Sequence, residues 1–209
     1  MGNKLLLVGG GGHCHSVLDS VILSCKYVEI GIIDNVDCSY LGVKTVGTDV
    51  DLQRLFNEGW TDAFLSVGSV GNTDVRHRLF KKLKCVGFNV PSVIDPTAVV
   101  AGNVTIGEGV FVGKRSVINS GAVLGDCSII NTGAIIEHDC NIGSFSHISP
   151  GAVLCGQVNV GNDSHIGAGS VIRQQITIGD NSLIGAGSVV VRNIGDNCKA
   201  YGNPCKVVS

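Results

Sequence analysis

The sequence predicts an α/β N-terminal domain, a small parallel sheet amounting to half of a Rossmann-like fold, followed by an all-β left-handed parallel β-helix. Three observations carry this. Every sixth residue from Ile94 to Val190 is Ile, Leu or Val. Glycine accounts for 30 of 209 residues while aromatic residues make up 5%, so an aliphatic interior and frequent turns are expected. Before Ile94, short apolar runs alternate with helix-period stretches in the order β-α-β-α-β-α, which a parallel sheet with helices on its faces requires. The expected division is 1–92 for the α/β domain and 93–209 for the β-helix.

Residues 4 to 8, KLLLV, read as a buried strand that leads into Gly9-Gly-Gly-Gly-His-Cys-His15. A helix follows with Val17, Leu18, Val21 and Ile22 on one face. An apolar run ending at Ile33-Asp34, a helix over 49–57, a strand over 63–67, a helix over 73–84 and an extended segment around 90–94 complete the first unit. The glycine loop approaches G-x-G-x-x-G but has Cys14 in the last position. Its setting, strand then glycines then helix start, suits a loop that cradles a diphosphate on backbone N–H groups, with Asp34 at the end of the second strand placed for a ribose or base edge. The alternative is a tight turn that only packs helix on strand.

From Ile94 onward the period of six gives a short strand and a tight turn, repeated around three faces of a triangular prism. Each large anchor is followed four residues later by a second inward residue, for example Ile136 and Cys140. Roughly five to six stacked coils, each of three hexads, cover one another's apolar interior. No insertion interrupts the run, so any substrate clamp must come from outside the repeat.

A formal net charge of -2 with scattered charges offers no basic stripe for nucleic acid and no polybasic membrane patch. Nine cysteines, the closest pair being Cys198 and Cys205, contain no C-x-x-C signature. With no apolar leader after Met1 and no membrane-length apolar run, a cytoplasmic location is expected.

Among the six histidines, His77 reads as a solvated helix residue and His13 as the end of the glycine loop, within reach of a phosphate or sugar oxygen. His138 falls two residues after anchor Ile136, in the turn, and should project outward between Glu137 and Asp139. One coil away on either side stand Ser120 and Gly156, small residues that leave room for a ligand. A carboxylate that accepts one ring N–H fixes the imidazole tautomer, and only one of the two flanking acids is expected to reach. His147 and His165 are one coil apart, yet no pair of histidines shows the H-x4-H spacing of gamma-class carbonic anhydrases, so no metal is expected.

The segments GGGGHC at 9–14, IDN at 33–35, SVGSVGNTDVRHRL at 66–79, INTGAIIEHDCNIGSFSHIS at 130–149 and YGNPCKVV at 201–208 resemble, together and over nearly the whole chain, one family. It comprises the bacterial sugar acetyltransferases related to the sialic acid O-acetyltransferases, and more closely the nucleotide-linked amino-sugar N-acetyltransferases of the bacillosamine and perosamine pathways. The resemblance implies a homotrimer with acetyl-CoA in the groove between subunits and a nucleotide-linked amino sugar held by the N-terminal domain. It implies His138 as general base, polarised by Asp139 or Glu137. His13 and Asn131 would lie near the amino sugar, and Gly11, Gly12, Asp34, Asn35 and Gly68 near the nucleotide. His147, Gly156, Ala168 and Ala186 would line the acetyl-CoA site. Asp139 stands where some relatives carry Glu.

The chemistry is compatible with these residue types. A sugar ammonium must lose a proton before its nitrogen attacks a thioester, and histidine suits that task. Backbone N–H groups of the glycine-rich turns, or His147, are candidates to bind the tetrahedral oxyanion. Cys140 occupies an inward position and reads as a core thiol. O-acetylation of sialic acid, a zinc-dependent lyase and a noncatalytic nucleotide-binding module are the other readings.

Overall fold

The computed structural model describes residues 3–209. The first unit contains β1 (Lys4–Val8), α1 (Gly12–Ser24), β2 (Glu29–Ile33), β3 (Ser39–Tyr40), β4 (Val43–Gly47), α2 (Leu52–Asn57), β5 (Asp62–Leu65) and α3 (Asp74–Val86). Its sheet has the order β3-β4-β2-β1-β5. β1 lies parallel between β2 and β5, so Leu5, Leu6 and Leu7 are covered on both faces and are fully buried. The sheet is parallel through β4, β2, β1 and β5, and β3 adds an antiparallel hairpin with β4 at the edge. Its two-residue turn holds Leu41 at φ 50° and Gly42 at φ 81°. A hairpin turn of this kind favours Asn-Gly, and Leu in the left-handed region gave no such signal.

Helix boundaries moved for local reasons. α2 begins at Leu52 rather than 49 because the Asp51 carboxylate accepts the N–H and O–H of Thr48, closing a turn before the helix. α1 starts inside the glycine run, at Gly12, and Ile22 lies outside its buried face at 38% exposure.

From Val93 the chain winds into two-residue strands that form three parallel sheets. The first face comprises Val93–Ile94, Phe111–Val112, Ile129–Ile130, His147–Ile148, His165–Ile166 and Leu183–Ile184, extended by Lys199–Gly202 and the antiparallel Cys205–Val207. The second comprises Val99–Val100, Val117–Ile118, Ile135–Ile136, Val153–Leu154, Val171–Ile172 and Val189–Val190. The third comprises Thr105–Ile106, Val123–Leu124, Asn141–Ile142, Asn159–Val160 and Thr177–Ile178. The anchors fill the interior, with Ile118, Ile136, Ile148, Ile166 and Ile184 at most 1% exposed. The second inward positions hold Ser, Ala, Cys, Val or Ile; among the serines, Ser146, Ser164 and Ser182 cap one another coil by coil through hydroxyl and amide groups.

From Gly109 to Gly187 the turn residue three after each anchor adopts positive φ, glycine at positions such as 121, 133 and 151, and residues such as Arg115, Cys127, Asp139, Phe145 and Gln157 between them. The regular spacing ends near residue 190, where Ile194 bridges to Ile178 and so shortens the last coil.

The α/β unit sits on the first face. The outward side chains Val93, Phe111 and Ile129 are buried against Leu5, Leu7, Cys14 and Leu18. Cys127 and Phe145 join a second core with Leu79, Leu83 and Phe88. His77 is exposed, as expected, and one side of its ring also stacks on Phe145 at 3.7 Å while Nε2 contacts Asp163 at 2.6 Å, helping to dock α3. Among the described residues no helix is long and apolar enough to cross a membrane.

Candidate active site

The candidate residues fall at two different corners of the prism. At the turn from the second face to the third, Ile136 and Cys140 point inward and force residues 137–139 around the outside. Asp139 takes φ 58°, a conformation aspartate tolerates better than most side chains. Its Oδ2 lies 2.9 Å from His138 Nδ1, and the imidazole is 58% exposed. If Nδ1–H donates to this carboxylate, the lone pair resides on Nε2. Of the two flanking acids Asp139 makes the contact; Glu137 bonds through its backbone N–H to the Leu154 carbonyl one coil above. The ring lies across Gly156, where an added Cβ would come within 2.4 Å of His138 Nε2. Gly156 has no positive φ, so what matters there is space.

At the turn from the first face to the second, His13, Gly68, Ser69, Asn131 and His147 border a cavity of about 510 Å³. His147 Nδ1 donates to the Ser69 carbonyl at 2.8 Å, and its Nε2 therefore accepts from Asn131 Nδ2 at 3.1 Å. Asn131 Oδ1 accepts the Thr132 N–H at 2.8 Å, which fixes the amide orientation. With both ring nitrogens engaged in this way, His147 has no N–H left for an oxyanion, contrary to the expectation above. His13 packs edge-on against Phe111, abuts Gly68, and has a buried Nε2 without a hydrogen-bond partner among the described residues. Burial, then the Arg76 charge, then His147 push its pKa down to about 3. His147 is also lowered, chiefly by burial, and burial followed by His147 takes His165 down to about 4.

These shifts predict an acid-sensitive fold. The folded chain keeps His13 and His165 neutral, whereas the unfolded chain protonates them below the ordinary value of 6.5. Stability is therefore fully present above that value and declines as pH falls toward about 4, by up to roughly 1.4 kcal/mol per pH unit for each group. Thermal unfolding at pH 7, 6 and 5 should show a falling Tm, with a shallower slope for His165→Gln. A Tm that is flat over this range would contradict the buried neutral state.

Ala168 and Ala186 belong to this same corner, stacked over Pro150 through the Gly169 and Gly187 amides. Gly169 and Gly187 sit at φ 65° and 68° with open space outside them. Gly156, expected to line the cosubstrate site with His147, Ala168 and Ala186, does not join them within one chain, because it stands at the His138 corner.

The nucleotide candidates cluster at the strand ends of the first sheet. Asp34 and Asn35 border a cavity of about 140 Å³ together with Gly9 and Arg78. Asp34 accepts the Gly10 N–H at 2.6 Å and the Val36 N–H at 3.0 Å, bonds that hold its pKa below the usual carboxylate range. One amide of the glycine loop is thus already engaged. Gly11 and Gly12 are exposed at the start of α1, where an added Cβ would meet open space.

Two contributors went unread in the sequence. Ser69 acts through its carbonyl, which residue identity does not encode. Arg76 is 1% exposed, donates to the Val67 carbonyl and, through Nη2, to the Cys127 carbonyl at 2.6 Å, and has its pKa lowered to about 10 by burial. It ties the 67–69 loop to the prism; its place in a charged helix repeat hid it.

A prism of hexapeptide coils with an outward His–Asp pair, carrying a glycine-loop α/β unit on one face, has the build of a hexapeptide acyltransferase. Residues 4–83 match the family described as PglD N-terminal domain, residues 157–192 the bacterial transferase hexapeptide, and residues 103–138 and 133–174 the hexapeptide repeat of succinyl-transferase. A single-residue variant of the perosamine N-acetyltransferase from Caulobacter crescentus, in complex with CoA and GDP-perosamine, is 36% identical over 99% of this chain and 97% of its own, with a TM-score of 0.93. The acetyltransferase domain of PglB from Neisseria gonorrhoeae, in complex with acetyl coenzyme A, is 36% identical over 100% of both chains with the same TM-score. WeeI from Acinetobacter baumannii shares the fold at 22% identity, with a TM-score of 0.88 over 98% of this chain. The chain belongs to the family of PglD-type and perosamine N-acetyltransferases.

Proposed function

We propose that this enzyme transfers an acetyl group from acetyl-CoA to the amino group of a nucleotide-linked amino-deoxy sugar by direct attack, with His138 as general base. The observation that carries the reading is the His138–Asp139 contact of 2.9 Å at an exposed prism corner. Asp139 holds Nδ1–H, so Nε2 takes the proton from the sugar nitrogen as it attacks the thioester carbon. The tetrahedral intermediate then collapses, the carbon–sulfur bond breaks, and the imidazolium returns the proton to the departing thiolate. Backbone N–H groups of neighbouring turns are the donors available to the oxyanion. The glycine-loop amides at Gly11 and Gly12 would hold the diphosphate, with Asp34, Asn35 and Gly68 at the nucleotide and His13 and Asn131 at the sugar. Relatives that carry CoA and a nucleotide sugar, or acetyl-CoA, support this reading.

The separation of the two corners supports a homotrimer. The outward side chains of the second face are Val99, Val117, Ile135, Val153, Val171 and Val189, an apolar ladder left partly exposed, with Val99 at 63%. Such a stripe calls for a partner surface. Three chains packed with this face toward a common axis set each His138 corner beside the neighbour's His13–Asn131–His147 corner. His147, Ala168 and Ala186 of one chain then flank the same groove as Gly156 of the next. We take 1–92 and 93–209 as the two working units. The nine free cysteines suit a reducing cytoplasm.

The test is a thiol-release assay with acetyl-CoA and UDP-, dTDP- or GDP-linked amino sugars. CoA is expected to be released with at least one of them. Preference for free or CMP-linked sialic acid would replace the amine reading with O-acetylation.

A further inference from the structure

We propose that Arg192, with Arg173 beside it, binds the phosphates of the CoA whose thioester lies at His138. This rests on the acetyl-CoA reading above and adds residues that the reading did not assign. The strands of the second face stack in register, Val117–Ile118 on Ile135–Ile136, then Val153–Leu154, Val171–Ile172 and Val189–Val190. The second residue beyond each strand therefore forms a vertical column at one corner, Ser120, His138, Gly156 and Gln174, and Arg192 follows Val189–Val190 at the head of that column, where the last turn is shortened.

Arg192 stands three coils above His138, roughly 14 Å at a strand spacing of about 4.8 Å. About thirteen bonds separate the thioester sulfur of CoA from its nearest phosphorus, and an extended chain advances about 1.2 Å per bond, so that span is roughly 15 Å. The two lengths agree. Between them the column presents Gly156, which has no side chain, and the exposed Gln174. Arg173 lies on the adjoining column, two coils above Glu137.

Charge selects the same corner. Arg173 and Arg192 are exposed, and neither takes part in an ion pair among the described residues. The corner between the third and first faces carries Glu108, Asp126, Asp163, Asp180 and Asp196 and would repel a polyanion. The corner bearing Ala168 and Ala186 offers only Gly, Ala and Ser in those two turns, a smooth wall for the pantetheine arm. Guanidinium groups bind phosphate oxygens in a two-pronged geometry, so an arginine at the phosphate level of such a groove is well matched to its ligand.

The test is calorimetric titration of the full-length protein with CoA, and with pantetheine by competition, for the wild type, R192Q, R173Q and the double variant. Both side chains are exposed, so the glutamine variants should fold, which circular dichroism checks. The charged hydrogen bonds lost in R192Q should weaken CoA binding about tenfold or more. The ratio of CoA to pantetheine affinity should narrow in R192Q, and narrow further in the double variant. An unchanged ratio, or CoA binding within about twofold of wild type in the double variant, overturns the proposal and leaves the acetyl-CoA reading standing. Failure of the wild type to bind CoA removes both.

Discussion

Replacing His138 by Ala should lower kcat/KM for acetyl transfer by roughly 10² to 10⁴-fold, the usual size of a general-base contribution. That corresponds to roughly 3 to 5 kcal/mol of lost transition-state stabilisation. The side chain is 58% exposed and bonds only to Asp139 among the described residues, so its removal leaves the coil intact and the melting temperature nearly unchanged. A purified H138A enzyme with wild-type turnover would eliminate the base assignment. The same variant examines the proposed seam. Co-assembled with chains carrying Asn131→Ala, it should regain activity above either parent, because some seams then pair an intact His138 with an intact Asn131. Mixtures no more active than their components would place the whole site within one chain.

The second large effect is expected one coil above. Gly156→Ala puts a methyl group where His138 Nε2 now lies, within 2.4 Å, and the flexible end of the histidine side chain must swing away. Displacing a catalytic group by about 1 Å can cost on the order of 10²-fold in rate. Yet the backbone at Gly156 lies outside the left-handed region and the atom displaced is on a side chain, so the fold should absorb the methyl group with little change in Tm. A variant that loses activity without losing stability is therefore predicted, read by parallel kinetics and thermal unfolding. Full activity in G156A would mean that the ring position seen here is not the working one.

The outward pose of His138 was legible because the hexad places anchor and turn at set offsets, and a residue two past Ile136 cannot face the interior. Its carboxylate partner was harder to read. Glu137 and Asp139 are equally adjacent in sequence, and the choice falls to the backbone: Asp139 sits at φ 58° and its short side chain reaches Nδ1 at 2.9 Å. The edge hairpin at Tyr40–Val43 was not legible, since Leu41 disguises a turn that Asn or Gly would have announced. The exposure of His77 was legible, but its contacts with Phe145 and Asp163 were not, because both neighbours lie far along the chain.

By itself, the order of residues determined the prism, its three faces and the column on which each turn residue stands, because a repeat of six is a local rule that every coil obeys independently. Only the tertiary structure decided how that scaffold is used. Docking of the α/β unit on the first face brings the Ser69 carbonyl to His147 and seals His13 and Arg76 in a low-dielectric layer. It also sets His13 beside Asn131, at a different corner from His138. These outcomes depend on contacts between distant segments and on desolvation, and neither is written in any short stretch of chain.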